Sequence, residues 1–330
     1  MPQSQASGFA GWAISFALLV SACSSNSAAP GDDQPHSSYV AGQSYFGRNN
    51  YIEYVAGNAP IIFTAAHGGS LNPGEIPDRT ANKCGGTATT VTDLNTIELV
   101  RAMQQRYFAK FGKYPHVVIA HLSRKKLDAN RPVDEAACSD PEAQTAYREW
   151  HQFIDIAEAS VVASVGRGFF VDVHGHGHTI PRLELGYLLN ENEVNLGDSA
   201  LDATAAIEDA SSVRTLSIGA PVSFSSIIRG PLSLGTLYAA NGFRAVPSSA
   251  DPRPGSDPYF DGGENTRLHT CSAAAVTFNS VAHGNICGVQ IESNYEGVRD
   301  TDSNRQRFGD ATATVLQQYL AAHWGIDLNR

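Results

Sequence analysis

Apolar and polar positions alternate along the chain in a way that predicts strands and helices in turn. Four short apolar runs are typical of buried strands, at residues 59–66, 115–120, 168–173 and 286–291. Three longer segments carry apolar residues at helical spacing, at residues 92–112, 141–164 and 303–324. This alternation predicts an α/β fold with a mixed, mostly parallel central sheet and helices on both faces. Because no linker or internal repeat divides the chain after about residue 43, we expect one domain over residues 43–330.

The amino-terminal segment has the pattern of an export signal. Residues 9–20, FAGWAISFALLV, form an apolar run that is short for a membrane-spanning helix and right for the centre of a signal peptide. The letters LVSAC follow and end at Cys23, which resembles the lipobox of bacterial lipoproteins, although residues 1–8 contain no Lys or Arg. We expect a signal peptide over residues 1–22 and lipidation of Cys23. An ordinary secretory signal with a chance cysteine is the alternative.

A polar tether is expected after the anchor. Residues 23–42 are mostly small and polar and contain Pro and Gly, which is typical of a flexible linker. The protein is therefore expected to be exported and held at the bacterial cell envelope, in contact with the membrane through the lipid only. Ser24 and Ser25, rather than Asp, favour the outer membrane.

The chain has five cysteines, an odd number. If Cys23 carries lipid, four remain: Cys84, Cys138, Cys271 and Cys287. Four cysteines in an oxidising compartment suggest two disulfides, and proximity in sequence favours Cys84 with Cys138 and Cys271 with Cys287. A zinc–thiolate cluster is the competing interpretation, although the sequence contains no C-x2-C pair.

Composition and motifs exclude several classes of function. There are 33 Asp and Glu against 23 Lys and Arg, a net charge of −10, and no basic run is longer than residues 124–126. This balance argues against nucleic acid as a partner. The sequence contains no G-x-S-x-G, no H-E-x-x-H, no Walker A loop and no G-x-G-x-x-G. Serine-hydrolase, helix-borne zinc-protease and nucleotide-binding interpretations therefore have no motif behind them.

Polar residues directly follow three of the predicted strands. His67, His174 and Glu292 each come immediately after an apolar run. The carboxyl ends of parallel strands form the edge where open α/β sheets place their ligands. Two histidines and a carboxylate are a common ligand set for catalytic zinc, which keeps one position for water. A scattered His/Glu set at strand ends therefore predicts a zinc site.

The sequence offers more than one residue for the remaining ligands of this zinc site. Glu75 lies eight residues after His67, and a loop of that length can fold back to bring the two side chains together. The segment VDVHGHGH offers His176 and His178 besides His174. In an extended segment these histidines share one face, so the tract is also an alternative metal site by itself.

Four blocks, in order along the chain, resemble those of N-formylglutamate amidohydrolases, a family that shares the fold and metal chemistry of zinc carboxypeptidases. The blocks are HGGSLNPGEIPDR from His67, SRKKLDANRP from Ser123, DVHGHGH from Asp172 and GVQIESNYEGVRD from Gly288, and YFDGGEN from Tyr259 corresponds to a further Gly-Gly segment. The resemblance implies a zinc carboxypeptidase-like fold and a zinc-dependent hydrolase.

On matching positions, the resemblance implies that zinc is bound by His67, Glu75 and His174. It also implies that Glu292 is the general base, which would take the proton of the attacking water and then protonate the leaving amine. Related zinc carboxypeptidases place their glutamate three residues after the histidine, where this chain has Ser70.

The block around residue 130 implies the substrate contacts. Asn130 and Arg131 match a pair that holds a substrate carboxylate, for which a planar guanidinium is well suited. Arg124 is a candidate for stabilising the oxyanion, with pairing to Asp128 or another acid as the alternative. Asp172 is a candidate for orienting a ligand histidine, with a structural role at a strand end as the alternative.

These observations predict a zinc-dependent hydrolase of an amide or peptide C–N bond next to a free carboxylate. Its substrate is an N-formyl or N-acyl amino acid, or a peptide with a free carboxyl end. An envelope location argues against N-formylglutamate itself, which is an intracellular compound. The alternatives are a surface lipoprotein that binds a carboxylate ligand or metal without catalysis, and a purely structural envelope protein.

Overall fold

The structure is a computed structural model, and it describes residues 39–86, 88–218, 220–277 and 284–330. The expected signal peptide, Cys23 and most of the expected tether lie outside the described residues. No helix in the described part of the chain is long and apolar enough to span a membrane.

Eight strands among the described residues form one sheet. They are β1 (Ser44–Phe46), β2 (Ile52–Val55), β3 (Ile61–Ala65), β4 (His116–Ala120), β5 (Gly168–Gly175), β6 (Leu183–Gly186), β7 (Ala245–Val246) and β8 (Ile286–Ser293). Their order across the sheet is β1-β2-β4-β3-β5-β8-β6-β7. Strands β4, β3, β5 and β8 run parallel, whereas β2 and β6 pair antiparallel with their inner neighbours.

The described helices differ widely in length. They are α1 (Thr96–Phe111), α2 (Val133–Ala137), α3 (Pro141–Val165), α4 (Glu191–Val194), α5 (Asp198–Asp202), α6 (Ala205–Ala210), α7 (Arg214–Ser217), α8 (Phe224–Arg229), α9 (Leu234–Ala240), α10 (Glu264–Leu268) and α11 (Asp302–Trp324). Short 3-10 segments lie at Arg48–Asn50 and Ala273–Thr277, and an irregular helical turn spans Tyr295–Arg299.

Apolar cores lie on both faces of the sheet, because successive side chains of a strand point to opposite faces. One core contains Phe63 of β3 together with α1 and α11, which pack against each other. The other contains Ile62 of β3 and Trp150 of α3. The predicted fold class, a mixed and mostly parallel sheet with helices on both faces, is confirmed.

The seven predicted elements are all present, as β3, β4, β5, β8, α1, α3 and α11. Two strands extend further than predicted, because β5 continues to Gly175 and β8 to Ser293. His174 and Glu292 therefore lie inside the ladder, as direct cross-strand partners, rather than after the strands.

Disulfides join Cys84 to Cys138 and Cys271 to Cys287, which confirms the pairing that proximity favoured. Their Cα atoms are 4.4 and 4.7 Å apart, within the usual range for disulfides. The zinc–thiolate interpretation is wrong, because the four sulfurs are joined in two disulfide bonds.

Candidate metal centre

One face of the sheet becomes polar toward the carboxyl ends of the central strands. Asp172 and His174 occupy this face of β5, and Gln290 and Glu292 occupy it on β8, where they are the direct partners of the first two. Glu184 of β6 lies opposite Glu292 on its other side. A row of three ionisable side chains, from His174 through Glu292 to Glu184, therefore crosses three strands.

Three buried side chains bring their ligand atoms together at this edge. His67 follows β3, His174 lies in β5, and Asp93 lies in the loop before α1. The two Nδ1 atoms are 3.0 Å apart, and Asp93 Oδ2 lies 3.3 Å from His67 Nδ1 and 3.2 Å from His174 Nδ1. The three residues are at most 8% exposed.

The outer nitrogen of each histidine faces a second carboxylate. His67 Nε2 lies 2.6 Å from Asp128 Oδ1, and His174 Nε2 lies 2.8 Å from Asp172 Oδ2. Because a carboxylate accepts, each Nε2 carries a hydrogen, and in a neutral imidazole the Nδ1 lone pair then faces the common point. This carboxylate–histidine arrangement is the one that orients histidine ligands of metals.

The spacing of the three atoms fits a small tetrahedral ion. Ligand atoms about 2.0–2.1 Å from zinc lie about 3.3 Å from one another at the tetrahedral angle. The observed separations of 3.0, 3.2 and 3.3 Å are close to that edge length. Two imidazoles and a carboxylate also suit zinc chemically. The residues present therefore fit the metal that the sequence predicted.

Buried charge at this point favours a cation. Burial alone would raise the pKa of Asp93, but the charge of His67 and the hydrogen bonds from both histidines outweigh it, so the pKa of Asp93 lies below its usual value. Burial would lower the pKa of His174, but Asp172 and Asp93 hold it well above its usual value. The carboxylates around the histidines thus stabilise positive charge where the three ligand atoms meet.

Glu292 lies next to this group in a different environment. Its carboxylate accepts a hydrogen bond of 3.0 Å from Gln290 Nε2. Burial raises the pKa of Glu292 to about 7, because the charge of His174 compensates only in part and Asp93 adds repulsion. The structure thus brings together three of the predicted site residues, His67, His174 and Glu292.

The structure does not bring Glu75 to the histidines, and Asp93 occupies that place instead. The loop after His67 pairs with the end of β4, where Leu71 N donates to His121 O at 2.8 Å. The loop therefore runs on rather than folding back. Glu75 is exposed and accepts a 2.5 Å hydrogen bond from Tyr51 Oη. The predicted ligand set is corrected at this position.

Asn130 is buried within the network around the histidines. Its Oδ1 accepts from Asn265 N at 2.8 Å, and its Nδ2 donates to Gln290 Oε1 at 3.2 Å and lies 3.3 Å from His174 Nε2. Both ends of the amide thus contact the protein itself. The neighbouring side chain of the predicted pair, Arg131, is exposed.

Arg124 contacts the acids of the site. Its Nε donates to Asp128 Oδ2 at 2.9 Å, and its Nη1 lies 3.6 Å from Asp93 Oδ1. The structure therefore shows the pairing with Asp128 that was the alternative to the oxyanion role. Through Asp93, the guanidinium also borders the candidate metal-binding group.

The other histidines of VDVHGHGH do not join the first group. His176 Nε2 donates to Arg182 O at 2.7 Å, and its Nδ1 accepts from His178 N at 3.1 Å, so both ring nitrogens are engaged. His178 Nδ1 lies 2.8 Å from Glu184 Oε1, and its ring stacks on Phe260. A further His/acid group consists of Asp155 and Glu158, which lie on α3, and His269.

Comparison with known proteins gives distant structural similarity. No protein-family model matches the chain, and no curated protein matches its sequence. An N-formylglutamate amidohydrolase from Ralstonia eutropha JMP134 gives a TM-score of 0.47 at 13% identity, over 83% of this chain and 99% of the other. A gene product from Agrobacterium tumefaciens gives 0.46 at 13% identity, over 82% and 95%.

The succinylglutamate desuccinylase from Chromobacterium violaceum gives a TM-score of 0.33 at 10% identity, over 87% of this chain and 71% of the other. Similarity at this distance assigns neither an activity nor individual residues.

Proposed function

We propose that this protein is a zinc-dependent hydrolase of an amide or peptide C–N bond that lies next to a free carboxylate. The observation that carries the proposal is the convergence of His67 Nδ1, His174 Nδ1 and Asp93 Oδ2 within 3.0–3.3 Å, with a buried glutamate on the neighbouring strand. A binding protein needs the ligands alone, whereas a hydrolase also needs the base.

Different side chains of the site bind the metal, orient the histidines and transfer the proton. His67, Asp93 and His174 would hold the zinc ion, and Asp128 and Asp172 orient the two imidazoles toward that position. When bound, zinc polarises the scissile carbonyl and makes water more acidic. Glu292 accepts the proton of the attacking water and delivers it to the leaving nitrogen.

The substrate class follows from the sequence block around residue 130. Arg131 is exposed at the end of that block and supplies a fork of donors for a carboxylate. Asn130, its neighbour in sequence, is buried and contacts the main-chain N–H of Asn265 and the side chain of Gln290. We also propose that the protein acts in the cell envelope, where peptides and N-acyl amino acids are available.

A hydrolysis screen of the zinc-loaded protein tests the activity. N-formyl, N-acetyl and peptide substrates with free carboxylates should be cleaved, and their amides or esters should be poor substrates. Glu292→Gln keeps the size and hydrogen bonding of the side chain but cannot take a proton. It should retain one zinc ion per chain and lose about 10²–10⁴-fold in kcat.

Glu75→Gln is the matched control, since it makes the same chemical change at an exposed glutamate that faces Tyr51. It should keep both zinc and turnover. Full activity in Glu292→Gln would remove Glu292 as the base. A zinc-loaded wild-type protein without turnover would favour the non-catalytic binding protein instead.

A further inference from the structure

A buried arginine outside the predicted site lies beside the metal-binding group. Arg299, at the end of the turn after β8, is 3% exposed. Its guanidinium donates to main-chain oxygens of three separate segments, those of Leu94, His176 and Ser293. The Nη2 atom is 3.1 Å from Ser293 O and 3.3 Å from His176 O, and Nε is 3.3 Å from Ser293 O.

Each of these acceptors is one or two residues from a side chain of the site. In chain order, they follow Asp93, His174 and Glu292. One guanidinium therefore connects the loop before α1, the end of β5 and the end of β8. These segments are distant in sequence, and among the hydrogen bonds of the described residues no other side chain joins all three.

Two neighbouring residues are matched to this arginine. Gly175 leaves the space that the guanidinium fills, because a Cβ at that position would overlap its Cζ and both Nη atoms. Asn95 adopts a left-handed backbone with φ 63°, and its Nδ2 donates to Arg299 O at 2.9 Å. The loop that carries Asp93 is thus bound by both the side chain and the main chain of Arg299.

We propose that Arg299 is a positioning residue of the metal centre. It fixes the separation of the segments that carry Asp93, His174 and Glu292, so that two of these side chains meet around the metal and the third lies beside it. A planar guanidinium has five N–H donors in a fixed arrangement, which lets one side chain reach three carbonyls. A lysine ammonium at this position cannot span the same acceptors. The inference rests on the proposed metal site.

Cobalt titration of the metal-free full chain tests the role without relying on turnover. Wild-type protein should bind one Co²⁺ ion and show the visible absorption of a tetrahedral site. Arg299→Met should bind cobalt at least about 10-fold more weakly, by analogy with the loss of groups that orient metal ligands. At saturating cobalt, its absorption bands should also differ from those of the wild type.

Arg307→Met is the matched control. Arg307 is exposed, lies on α11 and donates to Gly297 O in the same turn at 3.0 Å, but it does not contact the three site segments. It should leave cobalt affinity and spectrum unchanged. A role limited to folding would lower thermal stability in Arg299→Met and leave the spectrum of the cobalt-saturated protein as in the wild type.

Unchanged affinity and spectrum in Arg299→Met would therefore overturn the inference. If that variant does not fold, Arg299→Lys decides, because it keeps a buried positive charge without the planar fork. A weaker, altered cobalt site in Arg299→Lys supports the positioning role, and a wild-type cobalt site rejects it. Failure of the wild type itself to bind cobalt would refute the proposed function and this inference together.

Discussion

At the scale of single residues, the site depends on how each imidazole is held. In both histidines a carboxylate contacts Nε2, through Asp128 for His67 and Asp172 for His174. Each ring therefore directs Nδ1 toward the same point. Asp93 adds a third ligand atom to these two histidines, because its Oδ2 lies within 3.3 Å of both Nδ1 atoms.

Replacement of Asp93 should therefore remove the metal, whereas replacement of Glu75 should not. Asp93→Asn keeps the shape of the side chain but removes the negative charge and the anionic ligand. We expect zinc affinity to fall by at least about 100-fold, since even residues behind the ligands contribute 10- to 100-fold. Zinc per chain after dialysis, measured by plasma mass spectrometry, gives the result. Retention of zinc by Asp93→Asn and its loss from Glu75→Gln would instead support the ligand set expected from the sequence, with Glu75 as the third ligand.

The sequence identified the residues that lie on strands or directly after one, and missed the one in the loop before α1. His174 and Glu292 continue apolar runs whose direction and partners a parallel sheet dictates, so their meeting was predictable. Asp93 lies near the start of the predicted helical segment 92–112, where an acidic residue is ordinary, and it precedes α1. Its position depends on the path of an irregular loop, fastened by Asn95 and Arg299, which no local pattern encodes.

At the scale of elements, α3 supports the site from the opposite side of the polar network. Trp150 Nε1 donates to Asn265 Oδ1 at 3.1 Å, and Asn265 Nδ2 donates to Asp172 Oδ2 at 3.2 Å. Asp172 in turn holds His174. The helix is fixed at its start by Asp140, whose Oδ1 accepts from Ala143 N at 2.9 Å.

Loss of this helix cap should destabilise the protein without affecting the metal. Asp140→Ala leaves a main-chain N–H at the first turn without its side-chain acceptor, so the free energy of unfolding should fall by about 1 kcal/mol. Asp140→Asn retains an acceptor oxygen and should lose only a few tenths of that. Urea unfolding with unchanged m-values measures both. Equal losses in the two variants would show that charge, rather than capping, is what matters here.

The long elements were predictable and the short ones were not. α1, α3 and α11 each carry apolar residues over several turns, and the central strands are continuous apolar runs. The short helices between Glu191 and Ala240 have one or two turns each. Helices of that length are held by tertiary contacts rather than by their own pattern, so sequence periodicity does not reveal them.

At the scale of the whole molecule, the two ends of the parallel strands favour different charge states of the histidines that lie there. The carboxyl ends bring charged groups together around the candidate metal site. At the other end, His116 begins β4 and is 1% exposed. Its Nδ1 accepts a hydrogen bond of 3.1 Å from Gly57 N and contacts Tyr54 Oη at 2.8 Å. An N–H donor facing Nδ1 requires the neutral ring, and burial lowers the pKa of His116 to about 4.

This histidine should make the folded state sensitive to mild acid. Below its ordinary pKa of 6.5, the unfolded chain binds a proton at His116 that the folded chain does not take up until about pH 4. The free energy of unfolding should therefore decrease as the pH falls from 6.5 to 4, by about 3 kcal/mol for this group. His116→Gln removes the titration, so the stability difference between wild type and variant should shrink by that amount over this range.

Urea unfolding of the metal-free proteins at a series of pH values measures this difference in stability. The difference should stay constant above pH 7.5, where the ring is neutral in both states. A difference that also stays constant down to pH 4 would mean that the folded protein accommodates the charged ring, contrary to the donor that Gly57 directs at Nδ1.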